Sequence, residues 1–156
     1  MASHLTISSS ESMESLGAEL ARLSEGRGFI YLSGELGTGK TTLVRGLLRA
    51  LGHTGAVKSP TFTIVEPYHI DSKRVYHFDM YRLGDPEELE LLGGRDYFSP
   101  ENLCLVEWPQ CAAGSLPDPD LLIELQHAGT ARKLSLSGLS EKGRQWCSEL
   151  SPEKFA

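Results

Sequence analysis

A glycine-rich stretch with one lysine is the part of this sequence whose residue types and spacing point most directly to chemistry. Residues 34–41 read Gly-Glu-Leu-Gly-Thr-Gly-Lys-Thr, which fits the pattern Gly-x4-Gly-Lys-[Ser/Thr]. In loops of this kind backbone N–H groups converge on phosphate oxygens at the positive end of the following helix. Lys40 would then bridge the terminal phosphates, and the Thr41 hydroxyl would hold Mg²⁺. The pattern predicts a site for a nucleoside triphosphate with magnesium.

A carboxylate from a different strand is the second requirement of such a site. The Mg²⁺ held by Thr41 has to be anchored across the nucleotide by an acid at the end of a neighbouring strand. Glu107 directly follows the apolar run 103–106 and is the best candidate for that ligand. Without the loop, a glutamate at a strand end would be interpreted as a solvated rim residue.

Asp79 and Thr61 are further candidates, each with two open interpretations. Asp79 falls in a predicted strand, where aspartate is disfavoured. It either orients the attacking water or a metal-bound water, or it is an edge residue paired with Arg82 or His77. Thr61 either belongs to a switch segment that reaches the γ-phosphate or is an ordinary β-branched strand residue. His77 is interpreted as structural or partner-facing, because no second metal ligand lies at a suitable spacing.

The hydrophobic pattern supplies the elements that have to position these residues. Alternation and apolar runs predict strands at 4–8, 29–32, 61–65, 75–81, 103–107, 121–126 and 132–137. Cap residues and helical spacing predict four helices, which begin at a Ser8–Glu11 capping box, at Thr42, at Asp85 with Pro86 in the first helical position, and at Ser140. The third and fourth strands, and likewise the last two, are predicted to form antiparallel hairpins.

These elements predict one α/β domain of the P-loop NTPase type over residues 1–156. It would have a central mixed sheet flanked by helices, with antiparallel hairpins and the nucleotide at the C-terminal ends of the strands. Residues 138–156 are assigned to a C-terminal helix or tail. A chain of 156 residues is long enough to bury a core of this kind.

Composition excludes several other classes of protein. The three cysteines are odd in number and lack C-x-x-C spacing, which argues against a disulfide framework or a structural zinc site. A net charge of −6 without a long basic run argues against a large nucleic-acid footprint. No signal peptide or membrane-length apolar run is found. We therefore expect a cytoplasmic protein that contacts no membrane.

Sequence features outside the loop argue against two classes of phosphate-loop protein, the guanine-specific GTPases and the small-molecule kinases. A guanine-specific GTPase needs an Asn-Lys-x-Asp base reader, but the only asparagine, Asn102, is followed by leucine. A small-molecule kinase usually carries an arginine-bearing lid, whereas the arginines here are scattered and no lid insertion is visible. The kinase remains the alternative function. No obvious arginine finger lies near the loop, so we expect low turnover of the isolated protein, with a partner completing the site.

The motifs together resemble one family, the TsaE (formerly YjeE) ATPases of bacterial tRNA threonylcarbamoyladenosine synthesis. The resemblance spans about residues 5–135 and is carried by the segments 34–46, 58–62, 77–83, 85–90 and 105–108, in that order and spacing. Members of that family bind and slowly hydrolyse ATP with Mg²⁺ and associate with the TsaB-TsaD complex. That complex transfers threonylcarbamoyl to the adenosine next to the anticodon of tRNAs that read codons beginning with A.

The resemblance also implies roles for individual residues. It places Thr41 and Glu107 on Mg²⁺, and Asp79 and Thr61 near the γ-phosphate. The phosphates would be cradled by Gly37, Thr38, Gly39, Lys40, Thr41 and Thr42. Glu11 and Arg132 would contact the nucleoside. The family relation further implies that tRNA is met only through the TsaB-TsaD complex, and we expect a monomer when the protein is alone.

Overall fold

The strands and helices are those of an α/β protein in the computed structural model, which describes residues 2–85 and 87–155. The strands are β1 (Ala2–Ile7), β2 (Gly28–Gly34), β3 (Val65–Ile70), β4 (Lys73–Asp79), β5 (Leu103–Glu107), β6 (Leu121–Ala128) and β7 (Ala131–Gly138). The helices are α1 (Ser10–Ser24), α2 (Lys40–Leu51), α3 (Glu87–Leu91), α4 (Gly94–Tyr97) and α5 (Glu141–Glu149), with 3₁₀ turns at Pro109–Ala112 and Pro152–Phe155.

One mixed sheet contains all seven strands, in the order β1-β7-β6-β2-β5-β4-β3. The four central strands β6, β2, β5 and β4 run parallel, because β2 pairs in parallel with both β5 and β6, and β4 pairs in parallel with β5. The hairpins β3–β4 and β6–β7 are antiparallel, and β1 pairs antiparallel with β7. The predicted mixed sheet with antiparallel hairpins is therefore confirmed.

The sheet separates two hydrophobic clusters. Alternate side chains of β2 show the division: Ile30 and Leu32 pack with α1 and α2, whereas Tyr31 packs on the opposite face with Phe78 and Val106. Both faces of β5 are covered, and its five residues are all buried. A strand buried on both faces needs a continuous apolar run, and this is why the sequence pattern located β5 so well.

Two glycines let α1 cross α2 with the backbones almost in contact. A Cβ at Gly46 would lie 2.2 Å from the carbonyl oxygen of Glu14, and a Cβ at Gly17 would lie 2.2 Å from that of Leu43. Neither backbone can give way without moving a whole helix. The crossing therefore fixes α1 against the helix that follows the glycine-rich loop.

Two of the predicted local features are wrong. The N-cap of α1 is Ser9, whose Oγ accepts from the N–H of Ser12 at 3.1 Å, so the Ser8–Glu11 capping box does not form. The predicted strand 61–65 is a turn, closed by the N–H of Ile64 donating to the Pro60 carbonyl at 2.8 Å, and β3 begins only after it. Ile64 has a φ of +69°, which ends any strand conformation there.

The remaining boundaries follow the predictions closely. Gly52 caps α2 and Ser140 caps α5 through its side chain. Asp85 accepts from the N–H of Glu87 at 2.9 Å, as an N-cap does, while Pro86, the predicted first helical residue, lies outside the described residues. Within residues 2–85 and 87–155, no helix combines the length and apolar character that crossing a membrane needs.

Candidate functional site

The glycine-rich loop connects the end of β2 to the start of α2. Thr38 is fully buried and its Oγ1 donates to the Glu35 carbonyl at 2.8 Å, which closes the loop on itself. Gly39 caps α2 with a φ of +105°, and a Cβ there would lie 2.9 Å from the Met13 Cε. The positive φ favours glycine at this position, while the contact shows that Met13 of α1 packs against it. The loop is thus held in shape by its own hydroxyl and by α1.

The first turn of α2 presents backbone donors to this loop. The first intrahelical bond that reaches Gly39 comes from the N–H of Leu43, at 3.0 Å. The preceding N–H groups, those of Lys40 to Thr42, have no acceptor within the helix. These donors and the helix dipole make the loop a ready site for an anionic group such as phosphate.

Three buried charged residues meet at the edge of the sheet where this loop begins. The parallel register pairs Glu107 with Leu32 on β2 and with Asp79 on β4, so the three strands end at the same level. The exposed fractions are 5% for Lys40, 7% for Asp79 and 4% for Glu107. Sequence analysis assigned each of these three residues to the nucleotide site, and the structure places them near one another at this edge.

Burial disfavours the charged form of both Lys40 and Asp79. It lowers the pKa of Lys40, although Glu107 and then Asp79 act in the opposite direction. It also raises the pKa of Asp79, with the Glu107 charge adding to this effect and a hydrogen bond from the Tyr81 N–H opposing it. Charges kept at the expense of stability are typical of functional sites. These charges are therefore better suited to receiving a charged ligand than to stabilising the fold.

We expect Asp79→Asn to stabilise the ligand-free protein at neutral pH. The Asn Oδ1 can still accept from the Tyr81 N–H, which lies 3.0 Å away, while the buried charge is lost. Because the pKa of Asp79 is raised in the folded state, the folded protein loses stability as pH rises from the ordinary aspartate pKa to the raised one. Thermal unfolding of both proteins should show the variant becoming more stable relative to the wild type as pH rises from about 4. A variant whose stability falls relative to the wild type with rising pH would contradict the burial argument.

An aromatic pair covers Lys40. Its ammonium lies 4.3 Å from the centroid of the Trp108 ring and donates to the Gly34 carbonyl. The Trp108 ring packs against Tyr81 at 4.9 Å between centroids, and Trp108 itself has a φ of +54°. This contact makes Trp108 a natural fluorescent reporter of events at Lys40.

Sequence reasoning did not predict the hydrogen bond between His77 and Glu107. Nε2 of the buried His77 lies 2.5 Å from Oε2 of Glu107. Sequence alternation did place His77 and Asp79 on one face of a strand, but nothing in the sequence linked that face to Glu107. The interpretation of His77 as structural therefore omitted its main contact.

A cavity of about 180 Å³ opens on the α1 side of the loop. It is lined by Ile7, Ser9, Ser10, Met13, Gly37, Thr38, Gly39, Thr42, Thr130 and Arg132. Arg132 also donates to the Gly37 carbonyl at 3.3 Å, which places an arginine beside the loop. Glu11 is exposed and does not line the cavity. Sequence reasoning had assigned Glu11 of this segment to the nucleoside, whereas the crossing of α1 and α2 brings Ser9, Ser10 and Met13 to the cavity instead.

Thr61 lies in the turn between Pro60 and Ile64, just before β3. Its hydroxyl is 2.7 Å from that of Ser59. The same turn is tied to the charged cluster, since the N–H of Asp79 donates to the Ile64 carbonyl at 2.8 Å. The structure thus connects the Thr61 segment to Asp79 through the backbone.

Taken together, the four parallel central strands, the loop before α2 and the acid at the next strand end define the P-loop NTPase class of α/β folds. Within that class the chain belongs to the TsaE family, whose family model, described as threonylcarbamoyl adenosine biosynthesis protein TsaE, matches residues 7–134. This confirms the family resemblance proposed from the motifs.

Individual relatives support the same assignment. The tRNA threonylcarbamoyladenosine biosynthesis protein TsaE of Haemophilus influenzae is 49% identical over 122 residues, which cover 78% of this chain and 77% of that protein. The protein of the same name from Bacillus subtilis is 39% identical over 123 residues, with 78% and 77% coverage. The crystal structure of Bacillus subtilis YdiB superimposes with a TM-score of 0.81 at 28% identity, covering 98% of this chain and 96% of that one.

Proposed function

We propose that this protein binds and hydrolyses ATP with Mg²⁺ as a subunit of the tRNA threonylcarbamoyladenosine system. The observation that carries the proposal is that Lys40 is buried at the end of the glycine-rich loop. It lies near two buried carboxylates, those of Asp79 on β4 and Glu107 on β5. The membership in a family named for this biosynthesis supports the pathway.

Phosphate binding is the part of the function that the loop itself would perform. The N–H groups of Lys40, Thr41 and Thr42 would bind phosphate oxygens, together with those of Gly37, Thr38 and Gly39. The Lys40 ammonium would leave the Gly34 carbonyl and the Trp108 ring to reach the terminal phosphates. Because burial disfavours the charge of Lys40, pairing with phosphate would relieve part of that cost.

Two oxygen donors fit a magnesium ion: the Thr41 hydroxyl in the first turn of α2 and the Glu107 carboxylate at the end of β5. Mg²⁺ prefers oxygen ligands and usually takes one or two from the protein, with phosphates and waters as the rest. The Thr41 hydroxyl and the Glu107 carboxylate would supply those two, as predicted. When bound, the ion would neutralise charge on the β- and γ-phosphates. The hydrogen bond to His77 uses Oε2 of Glu107, which leaves Oε1 for this role.

Asp79 and Thr61 are proposed to act on the γ-phosphate side. The carboxylate of Asp79 is fixed by the Tyr81 N–H and its backbone is tied to the Thr61 turn. Such a fixed acceptor can orient an attacking water. Because the Asp79 N–H is bonded to Ile64 in the turn that contains Thr61, a ligand that moves Asp79 would also move Thr61.

The nucleoside is assigned to the cavity beside α1. Ile7 and Met13 offer apolar surface to a base, and Ser9 and Ser10 offer hydroxyls. Arg132 lies at the same cavity and is proposed as a nucleoside contact. Glu11, proposed for the same role, would have to act from the exposed first turn of α1.

The partner proposed for this ATPase is the TsaB-TsaD complex, with tRNA met only through it. The net charge of −6 fits an arrangement in which another subunit grips the nucleic acid. We propose that the protein works in the cytoplasm and is monomeric when alone.

Steady-state phosphate release with and without TsaB-TsaD tests this function. We expect slow hydrolysis by the protein alone and a clear increase when the complex is added, because a partner would complete the site. Lys40→Met, assayed in parallel, should abolish the increase. A high rate that does not depend on the partner would argue against the proposal. Phosphate transferred to an added small-molecule acceptor would favour the kinase alternative.

A further inference from the structure

A buried hydrogen bond links β4 to the carboxylate at the end of β5. His77 is fully buried, and the Glu107 side chain it contacts is 6% exposed. The bond joins Nε2 of His77 to Oε2 of Glu107 at 2.5 Å. His77 itself pairs in register with Leu105, two residues before Glu107, and so lies one pleat deeper in the sheet. The histidine therefore approaches the carboxylate from the core side, away from the loop.

The other nitrogen of this histidine has no partner. His77 Nδ1 is the single buried side-chain nitrogen or oxygen that lacks a hydrogen bond among the described residues. A carboxylate only accepts when it is ionised, so Nε2 carries the proton in this bond. A leucine in the same apolar surroundings would avoid the unpaired nitrogen. The imidazole is thus explained by its bond to Glu107 and not by packing.

Lys40 is a cation close enough to feel the Glu107 charge, which acts to raise the pKa of Lys40 against the effect of burial. In the described part of the chain, Lys40 forms an ion pair with neither carboxylate, while Glu107 pairs with His77. A direct Lys40–Glu107 pair would occupy both groups that the proposed site needs for phosphate and metal. The bond to His77 gives Oε2 of Glu107 a different partner.

We propose that His77 is a positioning residue, which holds Oε2 of Glu107 so that Oε1 is presented to Mg²⁺ and Lys40 remains free for phosphate. The proposal rests on the proposed function, because it concerns the same metal site. Groups that hydrogen-bond a ligating side chain typically change metal affinity by about 10- to 100-fold when removed. His77 would therefore act on the magnesium dependence of ATP binding without touching ATP.

The test compares three proteins by calorimetric titration with ATP, once with excess Mg²⁺ and once with EDTA. His77→Leu removes the donor and keeps an apolar side chain, while His77→Gln restores it, since the Gln Nε2 is as many bonds from the backbone as the imidazole Nε2. We expect Mg²⁺ to strengthen ATP binding by the wild type and His77→Gln, and this enhancement to fall about tenfold or more in His77→Leu. Binding in EDTA should be the same in all three.

Each other outcome has a defined meaning. An unchanged Mg²⁺ enhancement in His77→Leu, or an equal loss with and without Mg²⁺, would overturn the positioning role. Failure of His77→Gln to restore the enhancement would do the same. If Mg²⁺ does not strengthen ATP binding by the wild type, the proposed function itself is refuted. This outcome differs from failure of the positioning role, which would leave the enhancement in the wild type intact. If His77→Leu does not fold, His77→Asn replaces it, because its amide ends at the Nδ1 position and cannot reach Glu107.

Discussion

Replacing Lys40 with methionine is expected to weaken ATP binding about 10- to 100-fold, because hydrogen bonds to charged groups contribute about 1.5–3 kcal/mol and each 1.4 kcal/mol is tenfold in affinity. Methionine keeps an unbranched chain of similar length against the Trp108 ring, so the loop should retain its shape. Titration calorimetry measures the affinity directly. A variant that still binds ATP like the wild type would remove Lys40 from the site.

The same variant should be at least as stable as the wild type when no ligand is present. Burial lowers the pKa of Lys40, so the unfolded chain binds this proton more tightly than the folded one. The charge therefore costs stability at neutral pH, and that cost disappears as pH rises towards the ordinary lysine pKa. Thermal unfolding should show the advantage of Lys40→Met shrinking with rising pH. A strongly destabilised variant would mean that the lysine serves the fold and not a ligand.

Replacing Glu107 with glutamine is expected to remove most of the magnesium dependence of ATP binding. The glutamine Oε1 can still accept from His77, so the change is confined to the charge. One carboxylate ligand lost from a site with few protein ligands should lower the Mg²⁺ enhancement by about tenfold or more. Binding measured in EDTA should be unchanged or stronger, since a negative charge beside the phosphates is gone.

A matched control for this variant is Glu101→Gln. Glu101 is exposed and lies just before β5, at the opposite end of the strand from Glu107. It should bind Mg²⁺-ATP like the wild type. If Glu107→Gln and Glu101→Gln show the same magnesium dependence, the assignment of Glu107 as a metal ligand is refuted.

The parts of the site that sequence could predict are those fixed by local pattern. The run 103–107 is apolar because β5 is buried on both faces, and its final glutamate stands out for that reason. The glycine-rich loop needs backbone conformations that residues other than glycine rarely adopt, as the φ of +105° at Gly39 shows. Local rules sufficed to predict these residues and their meeting at one sheet edge.

The parts that could not be predicted depend on contacts between distant segments. The strand expected at 61–65 has β-branched composition, yet Ile64 turns to a positive φ where its carbonyl meets the Asp79 N–H. Tertiary contacts override propensity in such cases. The bond between His77 and Glu107 spans 30 positions along the chain. The cavity residues Ser9 and Met13 reach the loop only because α1 crosses α2 so closely.

A crystal structure with a non-hydrolysable ATP analogue and Mg²⁺ tests the central claim most directly. We predict the triphosphate against the N–H groups that start α2, the metal about 2.0–2.1 Å from Thr41 Oγ1, and the Glu107 carboxylate facing that metal directly or through a water. The Lys40 ammonium should have moved from the Trp108 ring to the phosphates. A nucleotide bound away from the glycine loop, or a metal remote from both Thr41 and Glu107, would contradict this account.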